Sequence, residues 1–172
     1  MTATGTPFDV SAVLAAVDDL LGMSVPSSGP TAWEPGQAEG WSASHGDGFR
    51  LRLLWKSRAY TEVPGSERDA AREEAAEYLA ALKETLDERW GEHRVVGMGA
   101  FARGEVDEES VPPLFDELRT FALYEDLLVW GPVGSDHGPR WVAVTVGQCD
   151  EGAPHLMVAG VSAVPIEELP GG

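Results

Sequence analysis

The longest amphipathic pattern in the chain runs from Ser66 to Trp90. Its apolar residues recur at steps of three and four, which draws one apolar stripe along a helix. The stripe consists of Ala71, Ala75, Tyr78, Leu79, Leu82, Leu86 and Trp90. Ser66 is a suitable N-cap with Asp69 three residues later, and Gly91 stands where a left-handed residue often ends a helix. The pattern predicts one long helix over about residues 66–90.

Two shorter patterns predict two further helices. Residues 7–21 follow a Thr-Pro start, with Asp9 closing a capping box, and carry apolar side chains at helical spacing. Residues 111–119 begin close to a Pro-Pro pair and have the same spacing. Each helix has an apolar face, so both are expected to pack on the core.

Alternating and apolar runs predict a mostly antiparallel sheet of five or six strands. The predicted strands are 39–44, 49–60, 94–102, 121–130, 140–148 and 155–164. Asp47-Gly48 predicts a tight hairpin between the first two. The long helix would form a βαβ crossover if its flanking strands are parallel. The chain is therefore expected to be a single α+β domain over 1–172, with a Pro/Gly/Ser-rich segment at 24–48 and a loose tail at 165–172.

The strand at 49–60 separates its apolar and basic residues. Alternation predicts that Phe49, Leu51, Leu53 and Trp55 share one face, and that Arg50, Arg52, Lys56 and Arg58 share the other. The basic row would either pair with carboxylates inside the protein or form a binding surface, and the sequence leaves both open.

The charge of the chain favours a basic partner. The 172 residues include 29 acidic and 12 basic side chains, a net charge of −17. Residues 61–131 alone carry −11, from 18 acids and 7 bases. Such a field repels nucleic acid and anionic membranes and attracts basic protein surfaces. Nucleic acid and membrane are therefore not expected as partners.

Residue usage indicates the origin and location of the protein. The chain has no Asn, one Ile and two Lys, which is typical of a high-GC bacterial genome. Cys149 is the single cysteine, so no internal disulfide forms and a reducing compartment is favoured. The N-terminus lacks the basic and apolar regions of a secretory signal, and no apolar run approaches the ~20 residues of a membrane span. A cytoplasmic location is expected.

Motifs for catalysis, cofactors or metals are missing from the sequence. Neither phosphate-loop spacing nor a nucleophile elbow occurs, and the histidines lack metal-ligand spacing. Folding could still bring His45, His137 and a carboxylate together. Glu125 and Asp126, inside a predicted strand, are the best acid/base candidates, because one of two neighbours on a regular strand must face inward. No cofactor, metal or catalytic residue is assigned.

The sequence supports three hypotheses of function. The first is a non-catalytic acidic binding module, of inhibitor, immunity, chaperone or adaptor type, that engages a basic protein. Its predicted binding residues are Glu73, Glu77, Glu84 and Glu88 on the long helix, and Glu105, Asp107, Glu108 and Glu109 in the acidic loop after it. The second is an accessory subunit of a larger bacterial assembly. The third is a small enzyme or ligand-binding domain with a pocket near Glu125, Asp126, the basic row and a histidine.

Overall fold

The three helices of the described chain lie close to their predicted positions. The computed structural model describes residues 8–26, 29, 32–33, 43–57, 65–98, 104, 111–121, 123, 125–147 and 155–167. The helices are α1 (Val10–Gly22), α2 (Gly65–Trp90) and α3 (Pro113–Thr120). Gly91 ends α2 with φ of 92°, the left-handed conformation expected there.

The helix starts differ from prediction by one to three residues. Asp9 is the N-cap of α1, and its carboxylate accepts a hydrogen bond from the Ser11 N–H at 3.0 Å. The helix therefore begins at Val10, because Asp9 caps the helix rather than lying inside it. In α2 the first helical residue is Gly65, so Ser66 occupies the first turn instead of the cap.

The strands form one sheet in which every neighbouring pair is antiparallel, as predicted. They are β1 (Ala32–Trp33), β2 (Ala43–Gly46), β3 (Phe49–Lys56), β4 (Arg94–Val96), β5 (Leu127–Val133), β6 (Arg140–Gly147) and β7 (Leu156–Ser162). Their order is β1-β2-β3-β7-β6-β5-β4. Six of these strands form the main sheet, and the two-residue β1 extends it beyond β2. Asp47-Gly48 makes the predicted hairpin turn between β2 and β3, with Gly48 at φ of 77°.

Helices cover both faces of the sheet. Val142 and Val144 of β6 pack in one core with α1 and α2, whereas Ala143 between them packs in a second core with α3. This separation follows from the alternation of side chains along a strand. The long helix thus lies on the sheet through its apolar stripe, as its pattern predicts: Ala71, Ala75, Leu82 and Leu86 are buried.

The connection through α2 is a long crossover. Four successive antiparallel pairings separate β3 from β4, so these two strands run in the same direction but are not neighbours. The simple βαβ unit of adjacent parallel strands does not form. Instead α2 links the β3 side of the sheet to its β4 edge and packs on the strands between, with contacts to β5 and β6.

A β-bulge changes the faces of β3. The register against β7 shifts between Leu53 and Trp55, so Leu54 is an extra residue. As a result Leu53 packs in the core with α3, whereas Trp55 packs in the core with α1 and α2. Lys56 is paired with Leu156 and therefore lies on the α3 side. The prediction that one face carries all the apolar residues and the other all the bases is wrong beyond Leu53.

The bounds of several other strands differ from prediction, β5 and β4 among them. β5 begins at Leu127 because α3 extends to Thr120, and Phe121 and Leu123 donate backbone hydrogen bonds to the Leu118 carbonyl. β4 ends at Val96. Residues 39–42, Arg58 and most of the predicted tail lie outside the described residues.

Candidate functional site: an acidic helix face and a neighbouring cleft

The four predicted binding residues of α2 share one exposed face. Glu73, Glu77, Glu84 and Glu88 are all exposed. At 3.6 residues per turn they fall within an arc of about 60° and along about 22 Å of the axis. The buried stripe of α2 occupies the opposite side of the helix, because its four residues fall in an arc centred roughly 160° away. We call the surface formed by these four glutamates the acidic face.

The cations of α2 lie outside the acidic face. Arg68, Arg72, Lys83 and Arg89 are the four basic residues of the helix. On the helical wheel they lie in the half that carries the buried stripe, either at the edges of the stripe or to one side of it. Arg89 reaches α1, where its Nη1 lies 2.7 Å from the Asp18 carboxylate.

Repulsion within the acidic face costs the helix some stability. Glu73 and Glu77, and likewise Glu84 and Glu88, are like-charge pairs at i, i+4. No cation of the helix stands between them on the wheel. The remaining predicted binding residues, Glu105, Asp107, Glu108 and Glu109, lie outside the described residues, so the structure does not place them beside this face.

The C-terminal end of α2 is anchored by one carboxylate. Asp87 accepts hydrogen bonds from the Trp130 indole N–H at 2.9 Å and from the His93 backbone N–H at 3.0 Å. The His93 Nδ1 is also 3.0 Å from the same oxygen. Burial by itself would raise the pKa of Asp87, but the hydrogen bonds from His93 and Trp130 outweigh it and hold the pKa below 3.8. Trp90 packs edge-on against Trp130 beside this group.

The N-terminal half of α2 borders a cleft of about 550 Å³. The opposite wall is the end of the sheet where β5 begins, β6 ends and β7 begins. The described lining residues are Arg72, Ala75, Ala76, Leu79, Glu125, Asp126, Leu128, Val146, Gly147 and His155. Four of them carry charge or a titratable group, and the others are apolar or glycine. The volume lies within the ~300–1,000 Å³ of small-molecule sites.

Glu125 and Asp126 reach this cleft by a different route from the one predicted. Both precede β5 and both are exposed, so neither is the inward-facing strand residue that the sequence predicts. The predicted strand is wrong here because the turn after α3 occupies its first half. Among the described residues the buried carboxylate is instead Glu117 of α3, which is 5% exposed and whose Oε2 has no hydrogen-bond partner.

His155 is the buried histidine of the cleft, 6% exposed. Its backbone N–H donates to the Ser57 Oγ at 2.7 Å, and its carbonyl accepts from the Ser57 N–H at 2.9 Å, which fixes the start of β7 against the end of β3. Burial, and to a lesser extent the positive charge of Arg72, lower the pKa of His155 from its ordinary 6.5. The imidazole is therefore neutral at pH 7 and can donate or accept a hydrogen bond.

Two members of the basic row of β3, Arg50 and Arg52, are engaged within the protein. Arg50 donates from Nε to the Ser24 carbonyl just beyond α1. Arg52 lies 3.9 Å from the Asp19 carboxylate of α1. Both arginines thus contact the C-terminal end of α1, where positive charge is favourable. They are not part of the cleft that contains Glu125 and Asp126, whose guanidinium comes from Arg72.

The histidines do not gather at a metal site within the part of the chain that the structure describes. His137 Nε2 is 3.2 Å from the Gly22 carbonyl, and His93 contacts Asp87. No group of three or more His, Cys, Asp or Glu side chains with metal-binding geometry occurs among the described residues.

Comparisons with protein-family models, with curated proteins and with solved structures find no match to this chain. Within the described ranges, no helix has the length and apolar character that crossing a membrane requires. The geometry of the two regions above is therefore the basis for a functional proposal.

Sequence reasoning missed Arg72 and His155 as neighbours of Glu125 and Asp126. The one available signal was Ala75 in the apolar stripe with Ala76 next to it, because small side chains beside a sheet leave space unfilled. The residues that border that space are determined by the strand order, and local sequence patterns do not predict the strand order.

Proposed function

We propose that the protein is a non-catalytic acidic protein-binding module, of inhibitor, immunity, chaperone or adaptor type, whose acidic face engages a basic protein surface. The observation that carries this proposal is the separation of charge on α2. Four exposed glutamates occupy one side of the helix, and all four cations of the helix lie elsewhere. The partner would share the cytoplasm, the location that the single cysteine favours.

Helix stability does not account for this arrangement. A solvated helix gains from Glu and Lys at i, i+4, whereas the acidic face repeats Glu at that spacing. A partner with Lys and Arg side chains along a matching line would relieve the repulsion. Charge complementarity of this kind raises the association rate and makes it sensitive to salt.

The test replaces the four glutamates by lysine, as Glu73→Lys, Glu77→Lys, Glu84→Lys and Glu88→Lys together. A matched control reverses four exposed acids outside the acidic face: Asp47, Glu92, Asp136 and Glu167. Each reversal changes the charge by two, so both variants carry a net −9 in place of −17. Global charge is then equal in the two variants, and only its position differs.

Both variants and the wild type serve as bait in extracts of the source cells, and the association rate with a captured protein is then measured at low and high salt. We expect the wild type and the control to capture the same basic protein, and the acidic-face variant to lose it. Association should slow as salt rises. Equal capture by all three baits, or capture independent of salt, would show that the acidic face is only solvated.

A further inference from the structure

The cleft beside α2 has charged groups of opposite sign on its two sides. Asp126 directly precedes β5, two residues before Leu128, whose side chain packs in the core with α1 and α2. His155 directly precedes β7, two residues before Met157, whose side chain packs in the same core. Both residues line the cleft, at the starts of two strands of the sheet.

The two sides are separated by the width of β6. Val144 and Val146 both belong to β6. Val144 pairs with Leu128 of β5, and Val146 pairs with Met157 of β7. Asp126 and His155 therefore lie at the starts of the two strands that flank β6, and the backbones of those strands are two interstrand spacings of about 4.8 Å apart. Glu125 precedes Asp126 at the first side. Arg72 lines the cleft from α2, and its positive charge acts on His155.

The floor between these sides is apolar. Ala75, Ala76 and Leu79 contribute it from α2, and Leu128 and Val146 from the sheet. The cleft thus offers carboxylates at one end, a guanidinium with a neutral imidazole at the other, and an apolar surface between them.

We propose that this cleft binds a small zwitterion, an apolar amino acid or dipeptide, with its ammonium group at Glu125 and Asp126 and its carboxylate at Arg72. His155 donates or accepts a hydrogen bond at the carboxylate end, and the apolar floor receives the side chain. This site is separate from the acidic face, since none of its lining residues is one of the four glutamates. It therefore stands or falls independently of the proposed function.

The test measures binding of L-leucine and of L-leucyl-L-leucine by titration calorimetry, at concentrations up to about 10 mM. N-acetyl-L-leucine lacks the ammonium group, and L-leucinamide lacks the carboxylate. We expect at least one of the two zwitterions to bind, and each blocked analogue to bind about tenfold more weakly or worse, because it leaves one charged end of the cleft without its partner.

Two variants assign the ends of the site. Arg72→Met should weaken zwitterion binding about tenfold or more but leave leucinamide binding unchanged, and Asp126→Asn should weaken the binding of both. Lys83→Met and Asp136→Asn, which remove the same charges outside the cleft, should bind like the wild type. Thermal unfolding of each variant confirms that it is folded.

Three results would overturn the proposal. The first is the absence of binding by both L-leucine and L-leucyl-L-leucine. The second is equal binding of leucinamide and leucine, which would mean that the cleft selects a cation alone. The third is binding that Arg72→Met and Asp126→Asn leave unchanged. The four-lysine variant of the acidic face should retain zwitterion binding, so failure of one proposal is distinguishable from failure of the other.

Discussion

In the C-terminal half of α2, Leu82 and Leu86 are fully buried against the sheet, whereas in the N-terminal half the buried residues are Ala71 and Ala75. The leucines fill the space beneath the helix, and Asp87 fixes the helix end to Trp130. The small side chains of Ala75 and Ala76 line the open cleft. The same helix is thus closely packed on the sheet at one end and open at the other. The volume of its inward-facing side chains determines which half is closely packed.

Truncating a leucine in the packed half has the largest expected effect. Leu82→Ala removes a fully buried side chain and leaves a cavity, so we expect a loss of about 2–5 kcal/mol in the free energy of unfolding. Leu79→Ala, at the cleft, is the matched control and should cost about half as much or less, because Leu79 already faces open space. Urea unfolding measures both. Equal losses would contradict the contrast between the two halves.

Removing the anchor at the helix end comes next. Asp87→Ala leaves the Trp130 indole N–H and the His93 N–H without their acceptor, which should cost about 1–3 kcal/mol. Asp87→Asn keeps an acceptor oxygen but loses the charge, so its cost should be smaller. Chemical unfolding at pH 7 compares the three proteins, and an unchanged stability in Asp87→Ala would mean that the anchor contributes nothing.

The same anchor predicts an acid-labile contribution to stability. The pKa of Asp87 is lowered in the folded state, so its stabilisation is complete above the unfolded value of 3.8 and is lost as the pH falls through the folded pKa. The stability difference between wild type and Asp87→Asn should be constant above about pH 5 and shrink below pH 3.8. A difference that is independent of pH would contradict the assigned hydrogen bonds.

The open half contains a second titrating group, His155, which is expected to make the stability depend on pH in a different pH range. Because the pKa of His155 is lowered on folding, the unfolded chain binds this proton first, and stability falls as the pH drops below 6.5 toward the folded pKa. Arg72→Met removes one cause of that lowering, so the loss should become smaller; Lys83→Met is the control. Unfolding followed between about pH 7 and 5 measures the slope, which is at most ~1.4 kcal/mol per pH unit for one proton. An identical slope in Arg72→Met would contradict an effect of Arg72 on the pKa of His155.

The smallest expected effect separates stability from binding on the acidic face. Glu77→Lys and Glu88→Lys each convert a repulsive i, i+4 pair into an attractive one, so each should raise helix stability by up to about 0.5 kcal/mol. The same changes should slow association with a basic partner. A gain in stability with no change in association would leave the acidic face without a binding role.

Periodicity was sufficient to predict the helices and most of the sheet. The stripe of α2, its end at Gly91 and the Asp47-Gly48 hairpin are local patterns, and the structure confirms them. The α+β class with antiparallel strands follows from those elements. The four glutamates of α2 are exposed as predicted, because a residue opposite a buried stripe faces solvent.

Other features depend on contacts between distant parts of the chain. The bulge at Leu54 moves Trp55 to the other face of β3, and a register shift against β7 leaves no periodic signal in β3 itself. The start of β5 is set by how far α3 extends.

The sequence by itself determined which side of each element is apolar, because that side must leave water wherever the element packs. Only the tertiary structure decided what covers it. It placed Arg72 of α2, Asp126 before β5 and His155 before β7 around one cleft, since the antiparallel order of β5, β6 and β7 brings those strand ends together. The residues that share that cleft are tens of positions apart in the sequence. A local pattern of hydrophobic and polar residues does not predict contacts between residues so far apart.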